Sequence, residues 1–264
     1  MDLRSIWHEI TELLYPPHCA VCDQLGEKTF CPACLAQVER LTPPYCSRCG
    51  RPLMPTAGEH VLCGECRKQP GELTGARAVG LHTGALRRAV LRMKFNRRRA
   101  LIEPLGRLLA LRLGAESEQP EPLELGAVRA LLPVALHPRR RAWRGFDQAV
   151  LLGRAAGRQA GLECWEGVLE RIKNTHQQIG LSVEERRANL AGAFRVTDRR
   201  RVEGGVFLLV DDVYTTGSTL QEAAKAALRA GAQAVYGLTL TRAQPVWQLG
   251  RVVAHGDEED REEN

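Results

Sequence analysis

The sequence predicts an α/β protein: a mainly parallel sheet with helices on both faces, preceded by a small cysteine-rich module. Three observations carry this. From about Gly71 onward, short apolar runs alternate with segments of helical periodicity, the pattern of strands joined by helical crossovers. Eight of the nine cysteines fall within the first 66 residues, in four pairs each separated by two residues. The most apolar run, Val206 to Val210, leads into two adjacent acids and a hydroxyl-rich turn, followed by an Ala-rich helix.

Each element has its own signal. Leu3, Ile6, Trp7, Ile10, Leu13 and Leu14 recur at helical spacing and predict an amphipathic helix over residues 1–15. Residues 16–70 are rich in Cys, Pro and Gly and poor in apolar runs, so this stretch needs a staple to fold. The α/β part spans 71–245. Within it, Arg87 to Leu113 reads as a helix broken or bent near Pro104. Gly114 to Pro122 reads as a polar link, Ala130 to Leu136 as a strand, and His137-Pro138 as a turn. A helix from Asp147 to Ala160 comes next, then a weaker strand over Val168 to Ile172. A long polar loop and a short helix from Val183 to Leu190 follow. The strand Val206 to Val213 feeds a helix, Thr219 to Ala230, which Gly231 stops, and Ala234 to Leu240 is the last strand. Residues 246–264 form an acidic tail.

Composition narrows the class. At 264 residues, with 44% hydrophobic and 26% charged side chains, wholesale disorder is excluded. No apolar run approaches the roughly 18 residues a membrane span needs. Asp2, Glu9 and Glu12 make the first residues unlike a cationic secretory leader, which predicts a cytoplasmic protein. The formal charge is +6. Arg87, Arg88, Arg92, Lys94, Arg97, Arg98 and Arg99 form a run without an acid, and Arg triplets stand at 139–141 and 199–201. Phosphate-bearing partners suit this distribution; a solvated basic face is the plainer alternative.

Two thiolates three positions apart can turn inward on one tight loop, and two such loops supply the tetrahedral four-sulfur shell that Zn²⁺ accepts. Taken in order, the ligands are Cys19, Cys22, Cys31 and Cys34 for one site and Cys46, Cys49, Cys63 and Cys66 for the other; a crossed pairing stays open. Disulfides fit a reducing compartment poorly. Redox-active CxxC needs one pair at a strand–helix junction, and iron–sulfur spacing usually differs. Structural zinc fits best, with His18 and His60 as bystanders and Cys164 as a core residue.

Asp211 and Asp212 end a buried strand at the edge where open α/β sheets place ligands. Adjacent buried acids repel and need partners, which ribose hydroxyls or a cation supply. Thr215, Thr216, Gly217, Ser218 and Thr219 then open a helix, offering backbone N–H groups and hydroxyls to an anion. Acids for a sugar beside a cradle for a phosphate describe a ribose 5-phosphate. A Walker-type loop is excluded because no lysine follows a glycine, and too little chain follows Asp211 for a phosphorelay receiver. The bland alternative, an Asp pair capping a helix, explains neither the second acid nor the hydroxyl-rich turn.

Residues 206–219 resemble the phosphoribosyl pyrophosphate (PRPP) motif of type I phosphoribosyltransferases. Together with Leu132–Ala149, Arg171–Ser182, Glu185–Leu190 and Ala193-Phe194, the chain resembles the ComF (ComFC-like) competence family, in which a double zinc ribbon precedes a phosphoribosyltransferase-like fold. The resemblance implies a phosphoribosyltransferase that displaces pyrophosphate from ribose C1 with Mg²⁺. Asp211 and Asp212 would bind the ribose hydroxyls and residues 215–219 the 5-phosphate. Arg139 to Arg141 and Arg144 would meet the pyrophosphate, with Arg171 and Lys173 opening a loop over the site. It also implies a role in DNA uptake, with single-stranded DNA or a nucleotide and other competence or DNA-processing proteins as partners. No pocket for a particular acceptor is recognisable in the sequence, so the acceptor stays unnamed.

Overall fold

The computed structural model describes residues 16–26, 28–54, 61–119, 123–174 and 183–244. The expected helix over 1–15, the acidic tail 246–264 and His60 lie outside them.

The strand β5 (Val206–Tyr214) is apolar at nearly every position because it is paired on both flanks and covered on both faces. It lies between β6 (Ala234–Arg242) and β2 (Val128–Pro133), and β1 (Gly75–Leu81) pairs with the far side of β6. The order is therefore β1-β6-β5-β2, and every pairing is parallel. Leu208 and Val210 point to one face, against Leu105, Leu109, Leu152, Ala155 and Ala156 of helices α4 (Ile102–Gly114) and α6 (Gln148–Ala160). Phe207 and Leu209 point to the other, against Leu220, Ala223, Ala224 and Ala227 of α9 (Ser218–Arg229). A methyl group on Gly106 would collide with Ala155, so that glycine sets the close approach of α4 and α6.

The cysteine module grips the β1 edge from both sides. Its helices are α1 (Pro32–Ala36) and α2 (Gly64–Lys68). Cys19, Val21, Phe30 and Cys34 join the core on the α4 and α6 face, whereas Cys46, Cys49 and Cys63 join it on the α9 face. Between the two, residues 39–41 run antiparallel along β1: Leu41 N donates to Val79 O and Leu81 N to Glu39 O, both at 3.0 Å. An otherwise open sheet edge is thereby covered. At the opposite edge, residues 163–165 pair with Leu131, which leaves Cys164 half-buried behind β2.

Several local expectations are corrected. Arg87 to Leu113 is two helices, α3 (Gly84–Phe95) and α4, and the break falls at Asn96–Arg98, where Arg97 takes a left-handed φ of 54°. Pro104 does not bend anything. It occupies the first turn of α4, where its missing N–H has no helical partner to lose. His137-Pro138 is a helix start: the His137 side chain accepts from Arg139 N at 3.3 Å, and α5 (Pro138–Arg144) runs to Gly145 at φ 82°. The polar link holds a buried acid, Glu116, which pairs with Arg77 Nε at 2.9 Å and Arg112 Nη1 at 2.5 Å. The weak strand is β3 (Leu169–Arg171), followed by α7 (Val183–Leu190) and then by β4 (Phe194–Val196), with which β3 pairs antiparallel in a separate two-stranded sheet. A single turn, α8 (Arg199–Val202), precedes β5.

Candidate functional site

The four parallel strands end on one edge, and each delivers a polar residue there. Asp211 and Asp212 close β5, His82 follows β1, Thr241 and Arg242 close β6, and His137 follows β2. Asp212 is buried; its Oδ1 lies 2.6 Å from Lys94 Nζ of α3, and its Oδ2 has no hydrogen-bond partner among the described residues. Asp211 Oδ1 accepts from Asp212 N at 2.8 Å. Burial, and then the neighbouring charge of Asp212, push the Asp211 carboxyl up to about 8, against the pull of Lys94. A buried oxygen without a partner among the described residues, beside a carboxyl that resists ionisation, suits a hydroxyl donor or a cation. His82 Nδ1 stands 2.8 Å from Thr241 Oγ1, and burial, with Lys94 and Arg87 nearby, depresses it to about 4.

The turn that follows is tight and rich in hydroxyls. Gly217 sits at φ 83°, a left-handed conformation, and a Cβ there would run into the Tyr214 ring beneath it. Thr216 Oγ1 and Ser218 Oγ are 2.8 Å apart, Thr215 is exposed and Thr219 half-buried. The helix begins at Ser218, one residue earlier than expected, with its positive end at this turn.

The basic residues divide. Arg144 hydrogen-bonds Gln148 Oε1 at 2.8 Å, and its buried Nε has no partner among the described residues. Burial lowers its pKa, and the charges of Asp212 and Asp211 oppose that shift, so it shares the field of the acid pair. Arg171, the last residue of β3, is buried, lies 5.6 Å from the centre of the Phe194 ring and feels Asp211. Arg139 is exposed on α5, and Lys173 donates to Ala191 O at 2.6 Å at the base of a loop whose residues 175–182 lie outside those described. Sequence reasoning missed Lys94, His82 and Arg242 as site residues. Lys94 was legible only as one member of a basic run.

Four sulfurs each about 2.3 Å from one centre lie roughly 3.8 Å apart. Cys22 and Cys31 are 3.8 Å apart, Cys19 and Cys34 4.0 Å, and Cys49 and Cys63 3.7 Å. Both quartets gather within 4.8 Å, in the in-order pairing. Amides of Cys31 and Val21 donate to Cys19 Sγ; such bonds outweigh burial and bring Cys19 down to about 6. Cys66 is pushed far up by the sulfurs of Cys46, Cys49 and Cys63, as expected of four thiols that need a cation to ionise together. All positions are filled by sulfur, so two structural zinc ions fit and no open coordination position remains. His18 instead meets Arg98 Nη1 at 2.8 Å.

Phe95, which follows Lys94 at the end of α3, and Trp143 of α5 are 57% and 66% exposed. Arg97 Nη2 donates to Trp143 O at 3.0 Å, and the Arg144 guanidinium lies 5.7 Å from the Phe95 ring centre.

Fold and site define a double-zinc-ribbon α/β protein with an acid pair and a hydroxyl-rich glycine turn at the carboxyl edge of its sheet. Residues 10–71 match the double zinc ribbon domain family. The chain is 32% identical over 227 residues to competence protein F of Haemophilus influenzae, covering 86% of this chain and 96% of that protein. It is 32% identical over 233 residues to DNA utilization protein YhgH of Escherichia coli K12, covering 87% and 99%. Identity to competence protein ComFC of Bacillus subtilis is 25% over 223 residues, covering 82% and 85%. The chain belongs to this competence protein F and ComFC family. Among the described residues, no helix is long and apolar enough to cross a membrane.

Proposed function

We propose that the carboxyl edge binds PRPP with Mg²⁺ and transfers its phosphoribosyl group to an acceptor, in the cytoplasm and in the service of DNA utilization. The observation that carries this reading is the orphaned Asp212 Oδ2 beside Asp211, next to the glycine turn that opens α9. Asp211 and Asp212 accept the ribose hydroxyls. The amides and hydroxyls of residues 215–219 hold the 5-phosphate. Lys94 and Arg144 face the negative charge that grows as the bond from C1 to the pyrophosphate oxygen breaks and its electron pair leaves with pyrophosphate. Mg²⁺ supplies further charge neutralisation for that leaving group. The acceptor forms the new bond to C1 and gives up its proton to solvent. Calorimetry with PRPP and Mg²⁺ tests the site: Asp211→Asn/Asp212→Asn should abolish binding, and unchanged affinity would refute the assignment. Pyrophosphate release in the presence of pooled bases, nucleosides and DNA tests the transfer.

A second reading is favoured by the exposed Phe95 and Trp143, held beside Arg144 and Arg97: a stacking platform for single-stranded DNA. Two of the relatives carry competence in their names and one carries DNA utilization, which supports DNA or other DNA-processing proteins as partners. Oligonucleotide affinity should fall steeply with salt and should drop in Phe95→Ala/Trp143→Ala. Salt-independent binding would exclude it.

A further inference from the structure

Arg242, the last residue of β6, is 2% exposed, yet it is a cation with two distant acceptors. Its Nη1 donates to Thr215 O at 3.0 Å, and its Nη2 donates to Cys49 Sγ, a ligand of the second zinc site, at 3.5 Å. The guanidinium stacks 3.8 Å from the centre of the Tyr214 ring, the same ring that underlies Gly217. One buried side chain therefore touches the second cysteine quartet, the first carbonyl of the phosphate turn and the ring that shapes its glycine. Resting on the reading of that turn as a phosphate site, we propose that Arg242 is a positioning residue through which the second zinc site holds the phosphate turn in its binding conformation.

The chemistry favours this linkage. Four thiolates around Zn²⁺ carry a net charge of about −2, which a buried guanidinium offsets. Arg242 Nε has no partner among the described residues, so the Thr215 carbonyl and the Cys49 sulfur are the acceptors that hold the guanidinium in place. Because the peptide is planar and trans, the direction of the Thr215 carbonyl also sets that of the Thr216 N–H, so releasing one reorients the other. A second strut runs beside the first. Gln221 Oε1 of α9 accepts from Glu72 N at 2.6 Å and Leu73 N at 3.1 Å, in the chain just beyond Cys66. A cleft of about 640 Å³ lies between the two struts. Among the described residues, no hydrogen bond runs from the first zinc site to this turn. That site meets α3 instead, through Asp23 and Arg92 at 2.5 Å.

The test uses the full-length zinc-loaded protein, with hydrogen exchange at residues 214–220 as a readout that needs no ligand. Cys66→Ser should raise exchange there on the order of tenfold, the effect of one charged hydrogen bond, while Cys22→Ser should not. Arg242→Gln should raise it similarly while retaining two zinc ions, and adding Cys66→Ser to it should produce no further rise. PRPP affinity should fall in parallel. Should Arg242→Gln fail to fold, Arg242→Lys, with a point charge in place of a fork, supplies the same comparison. Turn exchange indifferent to Cys66→Ser, or a full response to it in Arg242→Gln, would overturn the linkage. If no form binds PRPP, the functional reading fails while the exchange cycle still decides the role of Arg242.

Discussion

Lys94 Nζ stands 2.6 Å from Asp212 Oδ1, a salt bridge between α3 and the carboxyl end of β5 with both side chains mostly buried. It gives the acid pair a counter-ion from a helix otherwise studded with arginines, and it fixes where α3 lies over the strand ends.

Removing one member of such a pair leaves the other charge stranded. Lys94→Met is expected to cost about 3 kcal/mol at pH 7 in urea unfolding. Asp212→Asn also breaks the bridge, and the double variant should lose less than the two single losses together. Strict additivity would mean that the bridge does not form in solution.

His82 should make stability depend on pH below neutrality. Its folded pKa of about 4 lies under the ordinary 6.5, so between these values the unfolded chain binds the proton and the native chain does not. Its contribution is whole above about pH 6.5 and is lost as the pH falls toward 4. His82→Gln keeps a polar group beside Thr241 Oγ1 and should flatten this limb of the unfolding profile.

Asp211 acts with the opposite sign. Its folded pKa of about 8 lies above the ordinary 3.8, so the native chain keeps a proton that the unfolded chain releases. Stability is lost as the pH rises from about 4 to about 8. Asp211→Asn should therefore gain on the wild type steadily through that range, and a parallel pair of profiles would show that the carboxyl ionises normally.

Local spacing made much of this protein legible. The four CxxC pairs, the apolar run ending at Asp211 and Asp212, and the glycine turn each declare themselves within a few residues. The strand β1 did not, because its Gly, Ala and Arg residues lack β-branched character and the burial of Arg77 depends on partners distant in sequence, Glu116, Ser47 O and the Tyr45 ring among them. Lys94, His82 and Arg242 were illegible for a related reason. Each reaches the site or its turn by the stacking of parallel strands and helices, and no short motif records such a meeting. His137-Pro138 was misread because a proline after a capping side chain starts a helix as readily as it makes a turn.

Gly217 and Gly145 provide a matched pair. Both are left-handed, at φ 83° and ψ −2° for Gly217 and φ 82° and ψ −6° for Gly145. A Cβ at Gly145 would meet nothing within 4 Å, whereas one at Gly217 would collide with the Tyr214 ring. Gly145→Ala therefore carries backbone strain alone, about 1 kcal/mol, and should leave PRPP affinity close to the wild-type value. Gly217→Ala carries the same strain and must also displace Tyr214, on which Arg242 stacks. Its cost in urea unfolding should be larger by about 1–2 kcal/mol, the scale of overpacking in a filled core. Calorimetric binding of PRPP should be lost with it. If both substitutions cost the same and both keep the affinity, the glycine in the turn serves the backbone only, and the close approach to a phosphate is not what it is for.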